Sequence, residues 1–244
     1  MLESARPKSR TALAQVIAVR TLTPHMRRIT VGGSEVAALL QADGIEAPAA
    51  WLKVFLPSGE GRAYTISGID HQARTLDLDF VLHGVDATSG PASAWASQAH
   101  AGERIGIAGP RSGGFALPED ACWTMLAGDA TALPAIQAIA RSLPAGLKAK
   151  VYVEMPQAVD QQAIASAASL RVQWLTVRAA PGMALHQHLM YRPLPPGPGY
   201  LWIAGESAAV RALRMHYLQE RQFERHRVSA KGYWKAGEAD HRDA

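Results

Sequence analysis

The stretch Trp123-Thr124-Met125-Leu126-Ala127-Gly128-Asp129-Ala130-Thr131-Ala132-Leu133-Pro134-Ala135 decides how this chain is read. Its first five residues make an apolar run of strand length, Gly128-Asp129 breaks the run, and a helical stretch opens at Ala132. An apolar strand that passes through a short turn into a helix is the repeating unit of a parallel sheet, whose strands are covered on both faces and need no polar alternation. The rhythm continues downstream. Strands are expected over 150–154, 172–177, 200–204 and 227–230, and helices over 132–142, 157–168, 183–190 and 207–221. Residues 119–244 therefore read as an α/β domain with helices on both faces of a parallel sheet.

Upstream the period changes. In Thr75-Leu76-Asp77-Leu78-Asp79-Phe80-Val81-Leu82-His83, the residues Leu76, Leu78, Phe80 and Leu82 fall on one face and Asp77 and Asp79 on the other. That is the alternation of a half-buried antiparallel strand. Two strand-like runs flank a turn at Thr23-Pro24-His25, and others lie at 51–56, 61–67 and 104–108. Ser34 is placed to cap a short helix over 35–41. Gly90-Pro91 opens another, with the proline where a missing N–H costs nothing. So many short strands before Pro118 predict a small antiparallel barrel in residues 1–118.

Composition narrows the chemistry. The 244 residues can bury a core without disulfide or metal staples, and Cys122 is the only cysteine. Internal disulfides, iron–sulfur clusters and Cys-rich zinc sites within the chain are thereby excluded. The apolar neighbours of Cys122 predict a buried, structural thiol. The net charge of +4 comes from scattered basic residues with no block interleaved with aromatics, which suits an anionic small substrate at least as well as nucleic acid. Among nine histidines, His186 and His188 are two apart on a predicted helix and point apart, while His83 and His100 have no local acidic or cysteine companion. No protein-held metal is expected. A G-x-S-x-G elbow is absent, so serine-hydrolase chemistry has no support. The first ten residues are polar and basic, and the run 11–19 is too short and broken for a secretion or membrane segment. A cytoplasmic protein without stable membrane insertion is expected.

Several segments have the right residues for a ligand. Gly61-Arg62-Ala63-Tyr64-Thr65-Ile66-Ser67 puts Arg62 and Tyr64 on one side of a strand and leaves Thr65 able to offer its backbone N–H. A planar cofactor with an anionic tail fits there; a barrel strand whose Arg and Tyr cover its rim fits equally. The turn from Gly128 supplies a helix start at the carboxyl end of a strand, a capping turn or a nucleotide site, although it lacks G-x-G-x-x-G. Gly205-Glu206-Ser207 repeats that pattern, with Glu206 either beside a nucleotide or capping its helix. The helix start around Ala92 and Ser93 either binds a pyrophosphate or closes one mouth of the barrel.

With Arg62-Ala63-Tyr64-Thr65, His83-Gly84, Gly90-Pro91-Ala92-Ser93-Ala94-Trp95, Gly109-Pro110-Arg111, Gly128-Asp129-Ala130-Thr131-Ala132-Leu133-Pro134-Ala135, Trp202-Ile203-Ala204-Gly205-Glu206 and Gly232-Tyr233-Trp234 in order, the chain resembles the siderophore-interacting protein family of flavin-dependent ferric-siderophore reductases. The resemblance covers residues 11 to 237. It implies a ferredoxin-reductase-like pair, an FAD-binding barrel followed by a nicotinamide-nucleotide domain. It also implies that Arg62 holds the FAD pyrophosphate, Tyr64 packs on the flavin, and Thr65 sits beside flavin N5, making Tyr64 and Thr65 the residues nearest the chemistry. His83, Ala92 and Ser93 would complete the FAD site, and Asp129, Thr131, Gly205 and Glu206 would line the nicotinamide side. Two positions depart from the family pattern. Ser67 stands where R-x-Y-T-x-R has its second arginine, and Ala130 stands where G-D-E-T-A-L-P has glutamate.

The implied reaction runs from NADH or NADPH through FAD to chelated Fe(III), releasing Fe(II). A nicotinamide gives up two electrons together and ferric iron accepts one, so a cofactor stable at the half-reduced level must stand between them. The partner would be a bulky anionic ferric siderophore, met by Lys53, Arg111, Lys231 and Lys235. Glu154, at the end of a parallel strand, favours NADH if it bonds a ribose hydroxyl; Arg178 or Arg214 favours NADPH if it meets the extra phosphate; and the choice stays open, since a helix cap is the alternative for Glu154. A ferric-siderophore carrier without flavin, and a flavin-dependent oxidoreductase with another acceptor, are the alternatives.

Overall fold

The computed structural model describes residues 11–83, 90–177 and 179–238. Six antiparallel strands close a barrel: β1 (Ala12–Thr23), β2 (Met26–Gly32), β3 (Trp51–Phe55), β4 (Gly61–Asp70), β5 (Thr75–Val81) and β6 (Arg104–Arg111). Their order is β1-β2-β5-β4-β3-β6, and β6 returns to β1 with Ala12 opposite Ile107. The helices α1 (Ser34–Leu39) and α2 (Pro91–Gln98) belong to this half. The α1 cap is Gly33 rather than the expected Ser34, because the chain enters the helix at φ 119, a conformation that favours glycine.

The alternation in β5 is what the barrel core is built on. Leu76, Leu78 and Phe80 are fully buried, each contributing about 1.5–3 kcal/mol of hydrophobic stabilisation. The opposite face is not open to water throughout. Asp79 is buried, forked by Arg28 of β2 at 2.7 and 2.8 Å.

The second half is a parallel sheet of β7 (Trp123–Asp129), β8 (Lys148–Met155), β9 (Ser169–Thr176), β10 (Gly199–Glu206) and β11 (Val228–Trp234), in the order β11-β10-β7-β8-β9. The helices α3 (Leu133–Ser142), α4 (Met183–Met190) and α5 (Ser207–Met215) connect and cover it. The expected fold class, an antiparallel barrel followed by a parallel-sheet domain, is borne out. Between the halves, the carbonyls of Gly113 and Gly114 accept hydrogen bonds from Trp202 Nε1 at 3.1 Å and the Tyr200 hydroxyl at 3.0 Å. A Cβ on Gly113 would fall on the backbone of Ala49, so only glycine lets the connection run this close to the barrel.

Four local expectations change. The helix over 157–168 reduces to one 3₁₀ turn, Ala158–Asp160. The segment has no wide apolar stripe, and it is tied instead by Asp160 to His25, Gln162 to Met26 and Ser166 to Ala140. The helix expected to reach 221 ends at Met215 and continues as a π turn over His216–Glu220. Cys122 is exposed, because it precedes β7 at the edge of the sheet rather than entering it. His100 does have a local acid, pairing with Glu103 three residues on. No group of three or more His, Cys, Asp or Glu side chains gathers among the described residues, and no helix there is long and apolar enough to cross a membrane.

Candidate active site at the junction of barrel and sheet

Pairing of β4 with β3 sets the facing of the key residues. Arg62 lies opposite Val54, Tyr64 opposite Leu52, and Thr65 opposite Trp51. Paired residues share a face, so Arg62 and Tyr64 belong to the side of the buried Leu52 and Val54, and Thr65 to the other. The Tyr64 ring lies 3.9 Å from the Phe80 ring. Burial raises the Tyr64 phenol above its ordinary pKa, with Arg62 opposing, so the ring carries a neutral hydroxyl. Arg62 is half-buried, and one guanidinium nitrogen donates to Gly61 O at 3.0 Å.

A register shift between Ile66 and Gly68 leaves Ser67 as the extra residue of β4 against β5. Ser67 Oγ donates to Asp77 O at 3.0 Å, and the Ser67 carbonyl accepts from Arg141 of α3 at 2.8 Å. The place where the family pattern has an arginine on β4 is thus met by a guanidinium from the other half of the chain.

The start of α2 stands at the end of β5. Its N-cap is Gly90, Pro91 follows, and no side chain caps it among the described residues. Ala92 and Ser93 are buried, and Ser93 Oγ accepts from the His83 backbone N–H at 2.7 Å. Gly84, Ser89 and Arg178 lie outside the described residues. The His83 ring is solvent-accessible at the junction, 6.4 Å from the Trp234 ring. Partial desolvation lowers its pKa, Asp129 pulling the other way and His25 adding to the fall, which favours neutral imidazole.

At the carboxyl ends of the parallel strands, the acidic residues bond inward. Asp129 Oδ1 accepts from Thr131 N and Thr131 Oγ1 at 2.9 and 2.5 Å. Its Oδ2 accepts from Glu206 N at 2.9 Å and Trp234 Nε1 at 2.8 Å. Asp129 is therefore a brace joining the ends of β7, β10 and β11. Gly205 stands against it at φ 138, where a Cβ would meet the Asp129 carboxylate. Glu206 Oε2 accepts from Ala208 N and Ala209 N at 2.8 and 3.0 Å and caps α5. Glu154 is buried and accepts from Gly182 N at 2.7 Å and Leu185 N at 2.8 Å, closing the start of α4. Of the two readings left open for Glu154, ribose contact or helix cap, the structure shows the cap, with both oxygens bonded to the start of α4.

Between the halves lies a cleft of about 280 Å³ lined by Thr23, His25, His83, Ala130, Met155 and Asp160, among others. The departure at Ala130 keeps this cleft wall small. One end is bridged by His25, whose backbone N–H and Nδ1 both bond Asp160, at 3.1 and 2.8 Å.

The four candidate substrate cations divide. Arg111 stacks over Trp51, while Trp51 Nε1 and Lys231 Nζ both donate to Ser112 O, at 3.0 and 2.8 Å. Lys53 is two residues along β3 from Trp51, hence on the same face, with its ammonium over Phe55. Lys235 stands apart, paired with Glu238 and lining a groove with Ser207 and Arg211 of α5. Burial lowers the pKa of Lys231.

A closed barrel followed by a parallel sheet of this order is the architecture of ferredoxin reductases. A solved ferredoxin reductase of carbazole 1,9a-dioxygenase superposes with a TM-score of 0.65 at 16% identity, covering 92% of this chain and 69% of that one, and shares the fold. Residues 58–114 match the sequence model described as the siderophore-interacting FAD-binding domain, and residues 121–237 match that described as siderophore-interacting protein. The chain belongs to the siderophore-interacting protein family. Ferric vibriobactin reductase ViuB of Vibrio cholerae is 34% identical over 72% of this chain and 65% of its own length. The NADPH-dependent ferric-chelate reductase of Escherichia coli is 29% identical over 68% of this chain and 63% of its own. This chain thus spans just under two thirds of these curated relatives. The siderophore-interacting protein SipS of Aeromonas hydrophila superposes with a TM-score of 0.81 at 29% identity, covering 95% of this chain and 94% of that one. The expected FAD site is supported by the match of residues 58–114 to an FAD-binding domain.

Sequence reasoning passed over Arg141, the His25–Asp160 bridge and the hydroxyl of Tyr233. The first two are contacts between residues 74 and 135 positions apart, which no local pattern announces. Tyr233 was visible within Gly232-Tyr233-Trp234, but only the expected strand's extension to Trp234 carries it to the junction.

Proposed function

We propose that this protein is a ferric-siderophore reductase that takes electrons from NADH or NADPH and delivers them through FAD to chelated Fe(III), releasing Fe(II). The observation that carries this reading is the junction itself. There β4 brings Thr65 beside Tyr233 of β11, and β5 brings His83 beside Trp234. When bound, FAD supplies the conversion of a two-electron donor into one-electron deliveries.

The residues present fit that cofactor. The start of α2 has no capping side chain among the described residues, which leaves the N–H groups around Ala92 and Ser93 to meet a pyrophosphate. Arg62 adds a fixed cation to the same end. Tyr64 offers the ring face on which the flavin packs, and Phe80 behind it holds that ring in place. Thr65, on the opposite face of β4, lies at the reacting edge. Ser93 Oγ fixes the backbone of His83.

On the donor side, the turn from Asp129 to Thr131 receives the nicotinamide half, while Asp129 acts by holding that turn and the ends of β10 and β11 together. Glu206 acts through α5. Glu154 takes no part in choosing between NADH and NADPH. The chelate approaches Lys53 and Arg111 on the barrel face carrying Trp51, Lys231 of β11, which reaches the same Ser112 carbonyl as Trp51, and Lys235 from the α5 side. Electron transfer to a bound chelate needs closeness and charge complementarity, and no nucleophile or protein-held iron. A cytoplasmic site of action, where nicotinamide nucleotides are at hand, completes the proposal.

The test is anaerobic titration of the purified protein with NADH and, separately, NADPH, followed by ferric chelates of different charge. The flavin band should bleach with nucleotide and recover as a ferric chelate is added, with Fe(II) captured by a ferrous chelator. A protein that binds the chelate with no flavin would be a carrier. Equal rates with quinones, free flavin and ferric chelates would make it a general flavin oxidoreductase, and no recovery with any ferric chelate would overturn the proposal.

A further inference from the structure

Register between β10 and β11 runs evenly from Leu201 opposite Val228 to Gly205 opposite Gly232, after which Glu206 faces Trp234. Tyr233 is therefore the extra residue of a β-bulge, a feature that re-aims side chains beside active sites. The bulge lets the Trp234 indole reach Asp129 at 2.8 Å. It also sets the Tyr233 ring edge-on to Trp202, with centroids 6.4 Å apart at 81°. The Tyr233 ring packs against a core cluster that draws on both halves of the chain, including Met26 and Ala49 from the barrel side and Leu126 and Ala130 from the sheet side.

The hydroxyl at the end of that ring is buried and has no hydrogen-bond partner among the described residues. Thr65 lies close enough to bear on its ionisation, yet the two hydroxyls are not in bonded geometry. A buried hydroxyl without a partner is unfavourable, and phenylalanine would fill the same space without that penalty. Such a group belongs to a site completed by something else, and the group beside it is the threonine assigned to the flavin edge.

We propose that Tyr233 is a positioning residue for the flavin, its hydroxyl donating to Thr65 Oγ1 when the ring system fills the groove and so turning the Thr65 proton toward the ring edge. This rests on the reading of Thr65 as the flavin's neighbour. Tyr233 is suited to be a constant donor, since burial raises its pKa, against a smaller opposing influence from Thr65, and keeps it protonated. Thr65 is itself buried at 8% exposure, so water does not compete for the bond.

The experiment is a double-mutant cycle on full-length protein with Tyr233→Phe, Thr65→Val and the pair, using FAD affinity, the bound-flavin absorbance spectrum and its midpoint potential as readouts, with melting of FAD-free protein as a control. Tyr233→Phe should melt at the same or a higher temperature without FAD. It should weaken FAD binding about three- to tenfold, the loss of one hydrogen bond, and shift the spectrum and potential. In the pair, the second substitution should add little to the first, while Thr65→Ser should keep the wild-type spectrum. If Thr65→Val changes the flavin but Tyr233→Phe does not, or the two effects simply add, the role of Tyr233 is overturned while Thr65 keeps its place. A flavin unmoved by Thr65→Val sinks both.

Discussion

Three helices of this molecule, α2, α4 and α5, begin alike in sequence, with glycine just ahead of the first turn, and meet different fates. The start of α2 carries no capping side chain among the described residues. At α5, Glu206 takes the N–H groups of Ala208 and Ala209, and at α4, Glu154 takes those of Gly182 and Leu185. A carboxylate in that position satisfies the orphan donors and the helix dipole together, and it repels a phosphate. The barrel half therefore leaves the start of α2 without a carboxylate among the described residues, whereas the sheet half has closed two of its helix starts. A strand–turn–helix pattern at the right edge of a sheet is thus not enough to place a phosphate; what decides is whether an acidic side chain has already filled the helix end.

The largest expected effect comes from opening a closed end. Glu154→Ala should strand two buried N–H groups and leave a small cavity, about 2–4 kcal/mol of stability, or roughly 5–15 °C in melting temperature for a chain of this size. FAD content should stay near wild type. If stability were unchanged and the NADH-to-NADPH preference shifted instead, Glu154 would face the nucleotide and the contrast between the halves would fail.

Next comes the open end. Arg62→Ala removes a fixed cation from the proposed pyrophosphate site, and a charge-assisted contact is worth about 1.5–3 kcal/mol, so FAD should bind about 10- to 100-fold more weakly. The check is fluorescence titration with FAD and the flavin-to-protein ratio after gel filtration. Full retention would move the phosphates elsewhere.

The layout was legible because it is carried by period. The alternation around Leu76, Leu78 and Phe80 and the apolar run of β7 each have one reading, and both elements form where the pattern puts them. The α/β half was less legible wherever polar groups meet across long sequence separations. Nothing near residue 154 announces that its partners are Gly182 and Leu185, and an alanine-rich stretch such as 161–168 has helix propensity that tertiary ties override. The site divides in the same way. Arg62, Tyr64 and Thr65 could be placed on faces from strand alternation alone, whereas the inward bonding of Asp129 depends on three strand ends meeting.

Titration offers a smaller effect with a definite sign. Burial raises the pKa of Tyr64, Tyr200, Tyr217 and Tyr233 above the ordinary tyrosine value. The folded chain then holds protons that the unfolded chain releases, so this stabilisation is complete below the unfolded value of about 10 and is lost as pH rises beyond it. His83 has the opposite sign: its lowered pKa gives a contribution present above about 6.5 that declines as pH falls through the folded value. Urea midpoints should therefore hold between pH 7 and 9 and fall in alkali, together with phenolate absorbance. Phenolate appearing well before unfolding would show these rings to be open to water. Loading with FAD should delay ionisation of Tyr64 and leave that of Tyr217, in the core of the sheet half, where it was.

The smallest effect tests the barrel face that holds the cations. Lys231 keeps its ammonium half-buried against Ser112 O, and burial lowers its pKa, which means the folded protein holds that charge at some disadvantage. A cation kept in such a place is better explained by a ligand than by stability, since a methionine of similar length would pack there without it. Lys231→Met should leave the melting temperature unchanged or slightly higher and leave FAD bound, while raising KM for an anionic ferric chelate about two- to fivefold, the scale of one partly screened charge contact of under about 1 kcal/mol. KM for an uncharged ferric chelate should not move. If both chelates lost affinity equally, Lys231 would be shaping the Ser112 turn rather than meeting charge, and the face with Trp51 and Arg111 would lose its claim to the substrate.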